Sequence, residues 1–266
     1  MCEHSGIDAL SFTGSVVTGK KVRMAAAERG IPVQTEMGGV NAMIVLEDAD
    51  LEGAVDLALN GAFLAAGQRC TACSRIIVQD SIADKFAARL AEKVAALKVG
   101  DATDPSTHIG PLASPKQKAL ITEQTAVMEN TPGAKLVFGG TKDPLPACFF
   151  PPTLFDHAKA DDPIAQEEIF GPVAAMFRVP DYETGLAMLN DSKYGLSSGL
   201  CTTSLKYAEH FRRYAKAGMM MINLPTAGID YHVPFGGVGA SSYGAREQGR
   251  AAKQFYTVMK TTYLKG

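Results

Sequence analysis

Residues 59–74 read Leu-Asn-Gly-Ala-Phe-Leu-Ala-Ala-Gly-Gln-Arg-Cys-Thr-Ala-Cys-Ser, and their reading decides the fold. The apolar run up to Ala66 predicts a helix, Gly67 is suited to ending it, and Ser-Arg-Ile-Ile-Val-Gln at 74–79 predicts a buried strand. Cys70 falls in the break between them, where backbone N–H groups are free of any ladder. Arg69 precedes it, and a nearby cation favours thiolate over thiol. That is the setting of a nucleophilic cysteine. The alternative is a small buried hydrophobe, the usual state of a free cysteine.

Working outward, residues 9–13, 15–29 and 32–36 read as strand, helix and strand, one β-α-β unit. Gly14 and Ser15 lie where the first strand hands over to the helix. A helix N-terminus offers unpaired N–H groups and partial positive charge, a seat for phosphate; the plain alternative is Ser15 as a cap. Gly14 to Lys20 also matches the first seven positions of a P-loop, but Lys21 stands where a hydroxyl should hold magnesium, which excludes that reading. Glu36 ends the second strand, Gly38 and Gly39 permit a sharp turn or close approach, and residues 42–46 form a continuous buried strand. Two acids, Asp48 and Asp50, suit the start of the helix leading to Cys70.

Beyond the cysteine, residues 81–97 form an amphipathic helix in which Ser81 and Asp84 resemble a capping box. A turn-rich loop spans 100–112, and Pro115 stands at the first position of the next helix. Strands are expected at 135–138, 152–155, 173–179, 197–201 and 219–223, with helices at 182–190 and 205–217. Met219 to Met221 reads as core. The loop 223–242 is rich in glycine, and the tail 254–264 reads as a strand. Regular alternation predicts an α/β fold with an open, mostly parallel sheet and flanking helices. The final strand has no hairpin neighbour, so it is expected to join a distant or neighbouring sheet.

The chain of 266 residues carries 46% apolar and 20% charged residues and a net charge of -2, so neither nucleic acid nor an anionic membrane is an expected partner. No apolar run reaches the ~18 residues of a bilayer span, and no secretory signal opens the chain. Five scattered cysteines fit a reducing cytoplasm better than a disulfide framework.

Three chemistries compete at Cys70. Cys70 and Cys73 form a single Cys-x-x-Cys, but a zinc site needs two more ligands nearby, and a redox pair belongs after a strand. A Cys/His pair would need His232, which nothing ties to Cys70. The third reading joins Cys70 to Glu36. A thiolate adds to an aldehyde, hydride leaves for a nicotinamide, and the resulting thioester is hydrolysed by water that a carboxylate of raised pKa activates. For a lone glutamate the commoner alternative is a salt-bridged or helix-facing side chain.

Glu-Met-Gly-Gly at 36–39, Gly-Gln-Arg-Cys at 67–70, Glu-Glu-Ile-Phe-Gly-Pro at 167–172, Pro-Phe-Gly-Gly at 234–237 and Ser-Phe-Thr-Gly-Ser at 11–15 occur in one order. Together they resemble the aldehyde dehydrogenase superfamily, in its second half only. The resemblance implies Cys70 as nucleophile and Glu36 as general base. It implies Gly14, Ser15, Gly38, Glu168 and Phe170 as contacts to NAD or NADP, Phe235 as substrate lining, no metal, and a terminal strand shared between subunits of a homo-oligomer. The stretch 223–250, with Ser-Ser-Tyr-Gly-Ala-Arg-Glu-Gln-Gly, is similar to dehydrogenases of 2-oxoglutarate semialdehyde (2,5-dioxopentanoate).

The implied division is 1–36 as the C-terminal piece of a dinucleotide-binding domain, 37–245 as the catalytic domain, and 246–266 as terminal helix and oligomerisation strand. The family's oxyanion asparagine and adenosine-binding lysine belong to the half not matched, so the isolated chain is expected to oxidise aldehydes slowly or not at all. The rival expectation is a non-catalytic relic or partner-subunit fragment, with at most cofactor-independent esterase activity.

Overall fold

The computed structural model describes residues 1–142 and 144–266. Its first unit is β1 (Leu10–Thr13), α1 (Val16–Arg29) and β2 (Val33–Glu36), with the two strands parallel. The Ser15 hydroxyl caps α1 by accepting from the Thr18 N–H, and Gly30 closes the helix in a left-handed conformation. Next come β3 (Asn41–Val45), α2 (Leu51–Phe63), β4 (Cys73–Gln79) and α3 (Asp80–Ala95). Beyond the loop at 96–114 lie α4 (Pro115–Glu129), β5 (Lys135–Phe138), β6 (Thr153–Asp156), the short α5 (Pro163–Gln166) and β7 (Val173–Val179). The remainder supplies α6 (Tyr182–Asn190), β8 (Tyr194–Gly195), β9 (Ser197–Cys201), α7 (Leu205–Tyr214) and β10 (Met219–Ile222). Last are β11 (Val238–Gly239), β12 (Ser242–Tyr243) and the single-turn α8 (Lys253–Tyr256).

Seven strands form the main sheet in the order β10-β9-β3-β4-β7-β6-β5, parallel throughout except for β5 against β6. Every residue of β3 is buried, which requires cover on both faces and explains why 42–46 reads as an unbroken apolar run. Ile44, Ile76, Ile77 and Phe177 of the strands are buried with Phe63, Phe86 and Leu90 of α2 and α3. Each such side chain contributes about 1.5–3 kcal/mol relative to exposure. A smaller sheet pairs β1, β2 and β12, the last antiparallel to β2, so residues 242–243 close back on the first unit. Among the described residues no helix is long and apolar enough to cross a membrane.

Three expectations differ from the structure. The helix before Cys70 ends at Phe63, not Ala66; residues Leu64–Gly67 make one 3-10 turn in which Ala65, Ala66 and Gly67 all have positive φ. The capping box at Ser81 does not form, because Ser81 donates to Glu47 at 2.8 Å and Asp84 pairs with Arg178 at 2.7 Å. The tail is not a strand in this chain. Lys253–Tyr256 is helical and residues 257–266 have no ladder partner among the described residues, leaving Val258, Met259, Tyr263 and Leu264 exposed. A strand is completed by a neighbour, and this fold offers the tail none.

Candidate active site

The loop bearing Cys70 enters at the amino end of β4, and a side chain from β3 fixes it. Asn41, buried, donates its amide N–H groups to the carbonyls of Cys70 (2.8 Å) and Ala72 (2.9 Å). Its Oδ1 accepts from the Ser197 N–H at 3.0 Å, so one side chain joins β3, the loop and β9. Upstream, Gly67 has φ +63, and a Cβ there would fall 2.0 Å from the Gly171 carbonyl oxygen. Only glycine meets both conditions, and the contact seats the Gly-Gln-Arg-Cys motif on the Glu-Glu-Ile-Phe-Gly-Pro motif.

That second motif delivers Glu168. Its Oε1 accepts from the Gly39 N–H at 3.1 Å, and a Cβ on Gly38 would lie 1.8 Å from its Oε2. Gly38 is thus the bare backbone against which the carboxylate rests. From α4, Gln117 donates to the carbonyls of Ile169 and Phe170, and Gln124 to that of Glu168. Burial raises the pKa of Glu168, opposed by the Gly39 bond.

Glu36 closes β2. Its carbonyl accepts from the Gly14 N–H at 3.0 Å, which ties it to the turn into α1, and its Oε2 accepts from the Ser242 hydroxyl. The carboxyl group is buried and its pKa is pushed up to about 7, with burial the main cause and the charge of Glu247 adding to it; Ser242 and Arg246 act the other way.

A cavity of about 710 Å³ collects these pieces. Thr13, Gly14 and Ser15 line one side, Met37 and Gly38 the floor, Cys70 and Thr71 the middle, and Glu168 and Phe170 the far wall. The carboxyl ends of the small sheet's strands therefore face the amino ends of the main sheet's strands. Ser15, the cap of α1, lines the cavity, and the leading N–H groups of the helix have no intrahelical acceptor. A larger cleft of about 950 Å³ between α1 and residues 254–258 contains neither Cys70 nor Glu36.

The structure brings Cys70, Gly14, Ser15, Gly38, Glu168 and Phe170 to one cavity; Glu36 does not line it but is close enough for its charge to raise the Cys70 thiol. Phe235 does not line this cavity; like Cys70, it packs against the small cluster of Leu196, Met219 and Met221. The expected pairing of Arg69 with the thiol is not made. Its guanidinium turns away to the carbonyls of Asn60 and Leu64, because a side chain one residue from the sulfur leaves the loop on another side. Cys70 is half-buried, and its pKa is raised rather than lowered, first by burial and then by Glu168; the N–H groups of Cys70 and Thr71 oppose this. Cys73 is buried, donates to the Arg75 carbonyl and is pushed up to about 12. Among the described residues no group of three or more His, Cys, Asp or Glu is placed to hold a metal. Two residues of the site carry no motif signal of their own: Asn41, a polar residue opening an apolar strand, and Ser242, in the Ser-Ser-Tyr stretch.

A model of the "Aldehyde dehydrogenase family" matches residues 1–262. The chain belongs to that family. It is 40% identical to an alpha-ketoglutaric semialdehyde dehydrogenase of Bacillus subtilis, covering 100% of this chain and 55% of the relative. A counterpart from Haloferax volcanii is 41% identical, covering 98% and 54%. A betaine aldehyde dehydrogenase of Cereibacter sphaeroides is 40% identical, covering 98% and 53%. Among solved structures, betaine aldehyde dehydrogenase of Staphylococcus aureus in complex with NAD+ superposes with a TM-score of 0.91 at 34% identity, over 96% of this chain and 51% of that one. The chain spans about half the length of the curated relatives it matches.

Proposed function

We propose that this chain carries the acyl-transfer half of an NAD(P)-dependent aldehyde dehydrogenase, with Cys70 as nucleophile and Glu36 as general base. The observation that carries the reading is that Cys70, Gly38, Glu168, Gly14 and Ser15 line one cavity, and that the buried Glu36 carboxyl, its pKa pushed up to about 7, is near enough for its charge to act on the Cys70 thiol. The Cys70 thiol, held neutral at rest, gives up its proton to solvent water as sulfur bonds to the aldehyde carbon. The N–H groups of Cys70 and Thr71, which already favour negative charge on the sulfur, are placed to steady charge developing beside it. Gly38 and Glu168 would hold a nicotinamide ribose, the first turn of α1 with Gly14 and Ser15 the phosphates, and Phe170 a ring face. When bound there, a nicotinamide dinucleotide supplies a hydride acceptor. Glu36 then takes a proton from water, whose oxygen bonds to the acyl carbon as the C–S bond breaks, and passes that proton to the leaving sulfur, giving the carboxylic acid and restoring the Cys70 thiol.

As substrate we propose 2-oxoglutarate semialdehyde, supported by the names of two relatives and by the stretch 223–250. Turnover of acetaldehyde or betaine aldehyde well above that of the dioxo acid would remove this choice. Cofactor-independent acylation tests the chemistry in the chain as it stands. With p-nitrophenyl acetate, Glu36→Gln should accumulate an acetyl group on Cys70, seen by peptide mass, and Cys70→Ala should not. The neutral, half-buried thiol favours a second reading, a folded chain without turnover; absence of the adduct from Glu36→Gln decides for it.

A further inference from the structure

We propose that Ser242 is a positioning residue for Glu36, fixing one carboxylate oxygen so that the other receives the proton drawn from water. Ser242 stands directly opposite Glu36 in the antiparallel pairing of β12 with β2. It is mounted from both sides. The Met37 N–H donates to the Ser241 carbonyl at 2.8 Å, and the Gly195 N–H donates to the fully buried Ser241 hydroxyl oxygen at 3.1 Å.

The Ser242 oxygen accepts from the Gly237 N–H at 2.6 Å. A hydroxyl has one hydrogen, and with a lone pair engaged by Gly237 that hydrogen points at Glu36 Oε2. Among the described residues no protein donor reaches Oε1. That oxygen faces the backbone of Gly236, where a Cβ would lie 2.8 Å from it and 2.8 Å from the Arg246 guanidinium, and Gly236 follows Phe235, which packs against the same Leu196, Met219 and Met221 cluster as Cys70. The two oxygens are thereby made unequal: Oε2 is held, and Oε1 is left for water and its proton. The charged or titratable neighbours are Glu247 and Arg246, which follow β12, and Cys70 across the cavity wall. None of them replaces the Ser242 bond.

This rests on Glu36 acting as the base, so the test reads Glu36 directly. In the full chain labelled with carboxyl-13C glutamate, the Glu36 resonance is assigned by its loss in Glu36→Gln and followed from pH 5 to 10. The wild-type midpoint is expected at about 7. A hydrogen bond donated to a carboxylate favours the charged form, so Ser242→Ala should raise the midpoint by about one to two pH units. Ser242→Thr, which keeps the hydroxyl, should restore it. Ser242→Cys, a weaker donor of similar size, should give a smaller shift in the same direction and serves if the alanine variant fails to fold. A shift of about one unit leaves roughly a third as much ionised Glu36 at pH 7.5, so deacylation of acetyl-Cys70 should slow about threefold there and recover at higher pH. An unmoved midpoint in Ser242→Ala and Ser242→Cys, or an equal shift in Ser242→Thr, overturns the proposal whatever the chain does to esters. A moved midpoint without any acyl adduct on Cys70 upholds the Ser242–Glu36 coupling and overturns the reaction proposed above.

Discussion

Replacing Asn41 by alanine removes one side chain and three hydrogen bonds at once. The Ser197 N–H is buried, and losing its acceptor costs about 1–3 kcal/mol, the desolvation of an unpaired backbone group. The carbonyls of Cys70 and Ala72 lie on a half-exposed loop, so water recovers part of what they lose. The expected total is a loss of about 3 kcal/mol, a large share of the roughly 5–15 kcal/mol that holds a typical domain folded. Asn41→Asp is the sharper probe. It keeps an acceptor for Ser197 but turns a carboxylate oxygen towards two carbonyls that need a donor. Its folded-state pKa should therefore be raised, since only the protonated acid can donate. Stability contributed by that protonation is present at low pH and is lost as pH rises towards the folded-state pKa. Urea unfolding followed by circular dichroism, extrapolated linearly at pH 5 and pH 8, measures both effects. Asn41→Ala within about 0.5 kcal/mol of wild type, or Asn41→Asp no weaker relative to wild type at pH 8 than at pH 5, would refute the clamp.

Glu168→Gln removes a charge that raises the Cys70 pKa, so iodoacetamide should alkylate Cys70 several-fold faster near pH 8, with Cys2 as the unchanged reference; equal rates would show that burial alone sets the thiol. Gly38→Ala puts a Cβ 1.8 Å from the Glu168 carboxylate, and the expected result is a displaced Glu168 with the main sheet intact. NAD+ binding by calorimetry, where wild type shows any, should then fall beyond detection while circular dichroism stays the same. Glu36 gives a pH signature of its own. Its folded pKa of about 7 lies above the ordinary 4.5 of a glutamate, so the folded state binds more protons in that window. Wild-type stability should fall by about 2–3 kcal/mol relative to Glu36→Gln from pH 4.5 to 7 and level off above it. A flat difference across that range would mean that the carboxyl group meets water.

Much of this site is legible in the sequence because glycines and a cysteine between helix and strand leave local marks. Gly67, Gly38 and the turn at Gly14 each stand where a backbone must pass something closely, and such needs are written at single positions. The clamp and the base's partner are not written that way. Asn41 meets Ser197 and Ser242 meets Glu36 across most of the chain, and neither side chain looks unusual where it stands. Arg69 misleads for the opposite reason: adjacency along the chain says nothing about which side of a loop a long side chain leaves. The Ser81–Asp84 pattern is locally sound, but Glu47 and Arg178 compete for the same groups and win. The α/β alternation gives the sheet's class, whereas the placing of β12 beside β2 depends on the long loop after β10, whose path no periodicity encodes.

The order of the main sheet also bears on how the protein is made. β3 lies between β4, which follows it closely, and β9, which begins at Ser197. A ribosome therefore releases the Cys70 loop and one flank of β3 well before the strand that covers the other flank. Until residue 201 has left the exit tunnel, an apolar edge stands open to other nascent chains, the condition under which incomplete α/β proteins associate. Synthesis stalled between β4 and β9 should yield a chaperone-bound or aggregated product, and soluble material should appear only once β9 is out.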